Sequence, residues 1–147
     1  MATDVVDTLN DLIETCKDGE NGFRECEDNV TSPHLKTLFN TFGRHCAQSA
    51  AELQAEVRRL GGDPERRGSV SAALHRGWID VKTAITGKDE DAVLKECERG
   101  EDVAVESYEN ALKENLPSDI KAIVERQYRG ALEHRNRVRA LRQGSTT

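Results

Sequence analysis

The sequence is poor in aromatic residues and in proline, and it has no long apolar run. Aromatic residues make up 4% of the 147 positions, and there are three prolines. No stretch reaches the roughly 18 apolar residues that a membrane-spanning helix needs. The N-terminal residues have neither a basic start nor an apolar core, so no secretory signal is visible. We therefore expect a cytoplasmic protein without a membrane partner.

The acidic balance of the chain argues against nucleic acid as a partner. Asp and Glu number 27 against 21 Lys and Arg, which gives a formal net charge of −6, whereas nucleic-acid binding favours a basic surface. Arginines do concentrate near the C-terminus, where a solvated helix face and the helix dipole account for them, with an anionic partner as the alternative. The length suits a single domain over residues 1–147.

The four cysteines lack the CxxC spacing of a typical zinc or redox motif. They are Cys16, Cys26, Cys46 and Cys97. In a reducing cytoplasm we expect free thiols, and all but Cys26 fall on apolar helix positions, where a thiol packs as a small hydrophobe. Copper binding by these thiols is the alternative, which their spread along the predicted helices disfavours.

Apolar residues recur at steps of three and four along most of the chain, which predicts long amphipathic helices. Ser32 and Pro33 favour a helix start, as a cap and a first helical residue, and Gly61 with Gly62 favours a helix end. The predicted spans are helix one from about Asp4 to Asn29, helix two from Ser32–Pro33 to Gly61–Gly62, helix three from Asp89 to about Asn115, and helix four from Pro117–Ser118 to Gly144.

The connection between helices two and three is long enough to carry the chain back along the bundle. Within residues 62–88, Ser69–Thr86 is predicted to form a shorter helix, which would span about 25 Å. Helix three would then run parallel to helix two. This connection predicts an all-α fold, a ferritin-like four-helix bundle with a helical crossover between helices two and three.

Each long helix carries a polar residue within its apolar stripe at nearly the same height in the predicted bundle. These residues are Glu20, His45, Glu101 and His134. Each lies about nine to twelve residues from the same end of the bundle, so the four heights agree within about one turn. Glutamate and histidine suit iron, manganese or zinc. The layer therefore predicts a core site for one transition metal ion.

A second polar layer is predicted two turns away on the same faces. It consists of Glu52, Tyr108 and Gln127. Tyr108 and Gln127 can satisfy each other by hydrogen bonds while Glu52 leans toward solvent, and all three would support the ligands if a metal binds. The competing hypothesis is a non-catalytic structural or interaction bundle whose polar interior satisfies itself. A homo-oligomer is compatible with such a bundle, but the sequence identifies neither an interface nor a partner protein.

Three segments resemble a bacterial family of ferritin-like four-helix proteins described as a domain of unknown function. They are residues 68–78, 96–108 and 125–128. The resemblance extends over nearly the whole chain and implies the ferritin-like fold, but it supplies no reaction.

The ferritin-like di-iron pattern has a lone Glu on helices one and three and Glu-x-x-His on helices two and four. The lone glutamates and the histidines of that pattern are matched by Glu20, His45, Glu101 and His134. Phe42 and Ala131 occupy the positions of the two metal-bridging glutamates. The resemblance therefore argues against di-iron oxidase activity and leaves open a single metal ion held by glutamate and histidine.

Overall fold

The structure is a computed structural model that describes residues 2–64 and 90–145. Its helices are α1 (Ala2–Asp28), α2 (Pro33–Arg59), α3 (Glu90–Leu112) and α4 (Ser118–Ser145). The predicted all-α class is confirmed, and the long helices begin and end within a few residues of their predicted positions. The crossover helix predicted at Ser69–Thr86 lies outside the described residues. None of the helices described is both long and apolar enough to cross a membrane.

The local signals at the two ends of α2 act as the sequence predicts. The Ser32 side chain accepts a hydrogen bond from the Leu35 amide at 3.3 Å, and Pro33 begins the helix. At the other end Gly61 has φ of 81°, a left-handed conformation that glycine adopts without strain. The chain therefore turns sharply on both sides of α2.

Contacts at the two ends of the bundle fix the direction of each helix. Ser32 donates its amide hydrogen to Glu90 Oε1 at 3.2 Å, so α3 begins beside the start of α2. At the opposite end Arg59 Nη2 lies 2.9 Å from Asp119 Oδ2, so α2 ends beside the start of α4. Helices α2 and α3 therefore run parallel, as predicted.

The helices pack unevenly around two apolar clusters. Helix α1 packs on α2 and on α3, and α3 packs on α4, whereas α2 and α4 barely touch. One cluster, around the completely buried Leu9, Leu53 and Val124, fills the end near the α3–α4 turn. The other, around Phe23 and Phe39, fills the end near the α1–α2 turn. Between the two clusters, the seam between α2 and α4 is left open.

The arginines near the C-terminus face acidic residues of α3. Arg139 lies 3.1 Å from Asp102 and 3.4 Å from Glu98, and Arg142 lies 3.3 Å from Glu98. These ion pairs are partly exposed, so each contributes modestly to stability. They hold α4 against α3, the helix on the side of α4 away from the open seam.

Candidate functional site

A cavity of about 420 Å³ occupies the middle of the open seam, and all four helices line it. Its walls are built in part from small residues, which leave the space empty. These residues are Gly19, Ser49, Ala104, Gly130 and Ala131. Arg126, with 59% of its side chain exposed, and the exposed His45 stand at its edge, so the cavity opens to solvent there.

Three of the four predicted ligands come together at one end of this cavity. His134 lies between the other two: its Nε2 is 3.0 Å from His45 Nδ1, and its Nδ1 is 4.0 Å from Glu101 Oε2. We refer to these three residues as the His–Glu group. The predicted meeting of groups from α2, α3 and α4 at one height is thus present in the structure.

The His134 imidazole is held between aromatic rings. It stacks on Phe42 with ring centroids 4.1 Å apart and lies nearly parallel to His45 at 5.2 Å. Burial and, secondarily, the neighbouring His45 lower the pKa of His134 to about 4. His134 is therefore neutral at pH 7, so one ring nitrogen carries a hydrogen and the other has a lone pair that can accept a hydrogen bond or bind an ion.

Glu101 is the least satisfied polar group of the site. It is 2% exposed, and its Oε2 has no hydrogen-bond partner among the described residues. Burial raises the pKa of Glu101 to about 8, with a further upward contribution from Asp102 and an opposing one from Arg135. A buried carboxyl oxygen without a partner is costly, so its position beside His134 calls for an explanation.

Glu20 does not join the His–Glu group. Its side chain is 34% exposed, with Oε2 4.0 Å from Arg24, and it borders a small surface hollow between α1 and α2 instead of the cavity. At this height α1 presents Gly19 to the cavity, where an added Cβ would lie only 2.9 Å from Cys46 Sγ. Because a helix turns about 100° per residue, Glu20 is directed away from the cavity.

The second predicted layer forms a closed hydrogen-bond network. Tyr108 donates its hydroxyl hydrogen to Gln127 Oε1 at 2.9 Å, as the sequence suggests. The Gln127 amide group donates to Glu52 at 2.7 Å and to the Ser49 carbonyl at 3.3 Å. Glu52, partly exposed, also pairs with Arg126. This layer satisfies itself without a ligand.

Sequence reasoning missed the place of two cysteines in the cavity wall, and it missed the cavity itself. Cys16 and Cys46 both line the cavity, and Cys16 Sγ lies 3.2 Å from the Tyr108 hydroxyl. Burial raises the pKa of Cys16 to about 12, so its side chain is a thiol at neutral pH. Cys26, not assigned to an apolar stripe, is also fully buried. The available signal was the coincidence of small residues on four helices at one height.

The residues present do not fit a di-iron centre. The Phe42 ring is occupied in stacking on His134, and Ala131 opens onto the cavity, so neither bridging position offers an oxygen. Over residues 2–64 and 90–145, no group of three or more acidic, histidine or cysteine side chains is already arranged to hold a metal ion. What the site does offer is two imidazole nitrogens 3.0 Å apart and an unpartnered carboxyl oxygen.

Comparison with solved structures shows a ferritin-like fold. The chain resembles a Dps1 mutant from Mycobacterium smegmatis with a TM-score of 0.79 and 18% identity, covering 95% of each chain. It also resembles a two-domain protein from Anabaena variabilis that contains DJ-1/ThiJ/PfpI-like and ferritin-like domains, with a TM-score of 0.80 and 19% identity. That match covers 99% of this chain but 40% of the other. At these identities the likeness establishes the fold alone.

The sequence itself points to one family. No curated protein matches it. Residues 4–114 match the family model described as a domain of unknown function, DUF2383. Since this match spans nearly all of α1 and the whole of α2 and α3, with His45 and Glu101 inside it, the chain belongs to the DUF2383 family.

Proposed function

We propose that this ferritin-like bundle binds one transition metal ion at the His–Glu group. The observation that supports the proposal is the buried Glu101 Oε2, which lacks a hydrogen-bond partner and lies 4.0 Å from His134 Nδ1. A self-satisfied polar layer would not leave this oxygen unpaired. A bound cation would favour the ionised carboxylate and so account for its presence in the core.

The two histidines are the proposed ligands. Metal–nitrogen bonds of about 2.0–2.1 Å place neighbouring nitrogen ligands about 3 Å apart, and His45 Nδ1 lies 3.0 Å from His134 Nε2. The same separation suits a hydrogen bond between the rings in the metal-free protein. The separation of the two nitrogens is therefore compatible with either role.

Glu101 is proposed to position His134. A carboxylate that accepts the Nδ1 hydrogen of a histidine fixes its tautomer and leaves Nε2 free for a metal. Glu101 Oε2 lies on the Nδ1 side of the ring, one short movement from hydrogen-bond distance. Glu20 has no part in the site as now proposed, because its side chain lies outside the cavity.

Imidazole and carboxylate groups suit iron, manganese or zinc. With two protein nitrogens, such an ion would keep positions open to water or to another molecule. The chemistry supplied by a metal in such a site is polarisation or activation of a bound oxygen group.

The alternative function, a non-catalytic bundle with a self-satisfied interior, is favoured by one observation. The network of Tyr108, Gln127 and Glu52 is complete as it stands and needs no ion. On this alternative the polar groups set the helix register, and the outer surface mediates self-association or partner binding. The oxygen of Glu101 then has no partner among the described residues.

Metal titration distinguishes the two functions. Chelator-treated protein is titrated with Zn²⁺, Mn²⁺ and, without oxygen, Fe²⁺, and bound metal per chain and the thermal midpoint are measured. We expect one ion per chain and a raised midpoint, because binding to the native state stabilises it.

Histidine variants provide the matched comparison. His45→Gln and His134→Gln should abolish retention of the ion, while His34→Gln, at an exposed position of α2 outside the cavity, should not. Failure to retain any of the three metals, or equal retention by His45→Gln and His34→Gln, would overturn the proposal.

A further inference from the structure

The cavity is far larger than the ion that the His–Glu group would hold. Its volume is about 420 Å³, within the range of pockets that bind small organic molecules, whereas one water molecule occupies about 30 Å³ in the liquid. A metal ion with its waters would fill only the end of the cavity beside the His–Glu group. The remaining space lies along the seam between α2 and α4.

The walls of this space combine small apolar surface with polar groups that already have partners. Ala104, Ala131 and Gly130 leave room from α3 and α4. Gln127 uses its amide oxygen and nitrogen within the closed network, and the charge of Glu52 is balanced by Arg126. These groups need nothing from a ligand.

One buried polar atom at the cavity does lack a partner. Glu101 Oε2 accepts no hydrogen bond from the described residues, although the residue is 2% exposed and lines the cavity. An ionised carboxyl group accepts hydrogen bonds, whereas a protonated one can donate a hydrogen bond as well as accept. An O–H or N–H group on the ligand can donate to the accepting oxygen, and an O–H can also accept from the protonated group.

We infer that the cavity binds an uncharged, ring-sized organic molecule that is mostly apolar and carries one hydroxyl or N–H group directed at Glu101. The apolar part lies against the small side chains of α3 and α4. An uncharged ligand is favoured because a charged one must lose its water within walls that are mostly apolar. This site does not depend on the proposed metal function.

Phenol and anisole form a matched pair of probes, because anisole has the phenol ring but no O–H. Each is titrated into chelator-treated protein, and binding is followed by the amide NMR signals of Ala104, Gly130 and Ala131. We expect saturable binding of phenol and about fivefold weaker binding of anisole, the difference of one net hydrogen bond. Benzylamine, a cationic probe, should bind more weakly than phenol.

Three variants complete the test. Glu101→Leu should reduce phenol binding to the level of anisole while anisole binding is kept. Glu96→Leu, which removes another buried glutamate of α3 that pairs with Arg99 outside the cavity, should leave the phenol preference unchanged. Gly130→Leu should abolish binding of both probes, because its side chain enters open space at the cavity edge.

The inference is overturned if neither probe binds saturably, if anisole or benzylamine binds as tightly as phenol, or if Glu101→Leu retains the phenol preference. The probe titrations contain chelator, and the metal titrations contain no organic probe. Each proposal is therefore tested separately, and one can fail without affecting the result for the other.

Discussion

Replacing Glu101 by glutamine should remove a pH dependence from the stability of the protein. Burial raises the pKa of Glu101 from 4.5 to about 8, and one pKa unit corresponds to about 1.36 kcal/mol. The folded protein holds this proton more tightly than the unfolded chain. Its contribution to the free energy of unfolding is therefore complete below pH 4.5 and is lost as the pH rises through about 8. The full contribution is about 5 kcal/mol.

His134 contributes a dependence of the opposite sign. Its pKa falls from 6.5 to about 4 on folding, so it supports stability above pH 6.5 and this support is lost as the pH falls through about 4. Between pH 4.5 and 6.5 the two slopes oppose each other. Above pH 6.5 only the Glu101 contribution still changes with pH, and it lowers the free energy of unfolding by about 2 kcal/mol between pH 6.5 and pH 8.

Urea unfolding of chelator-treated protein at pH 6.5 and pH 8 measures this difference directly. Between pH 6.5 and pH 8 the free energy of unfolding of the parent protein should fall by about 2 kcal/mol, equivalent to about 4 to 8 °C in thermal midpoint. That of Glu101→Gln should fall much less, because glutamine does not titrate. A parent profile that is flat over this range, or a variant with the same slope as the parent, would refute the assignment of the slope to Glu101.

Two further changes test the description of the cavity and its network. Gly130→Ala should stabilise the protein by about 0.5–1 kcal/mol in urea unfolding, because an added Cβ meets no neighbouring heavy atom within 4 Å. Gly62→Ala should destabilise the protein, because its Cβ would lie 2.7 Å from Val6 Cγ1. A less stable Gly130→Ala variant together with a more stable Gly62→Ala variant would contradict the structure. Tyr108→Phe should cost about 1–3 kcal/mol by leaving Gln127 Oε1 without its donor. In the Tyr108→Phe variant, Gln127→Met should lower the free energy of unfolding by less than it does in the parent protein. Additive losses would show that the two side chains are not coupled.

Positions along the helices could be predicted from the sequence, but rotation about the helix axes could not. The height of Glu101 and His134 follows from counting residues from a turn at about 1.5 Å each, and the cap at Ser32 supplies a fixed starting point. Whether Gly19 or Glu20 faces the interior depends on 100° of rotation, which the packing of Gly19 against Cys46 decides.

The cavity and the unpaired state of Glu101 needed coordinates for a different reason. An empty volume is the difference between the space enclosed by four helices and the side chains that fill it, so no single helix pattern reveals it. Likewise, the absence of a partner for Glu101 Oε2 depends on every neighbouring group at once. The Tyr108–Gln127 bond was predictable because two complementary groups stood at one height with few alternatives.

The parallel arrangement of α2 and α3 has a consequence for how the chain reaches its native state. Helices α1 and α2 form one antiparallel hairpin, and α3 and α4 form another. Contacts within each hairpin join neighbours in the chain, so the loop-closure entropy for each is small and each can nucleate early. Docking of the halves, chiefly through α1 and α3, is then the late step. Hydrogen exchange should show protection within the two hairpins before α1 docks on α3.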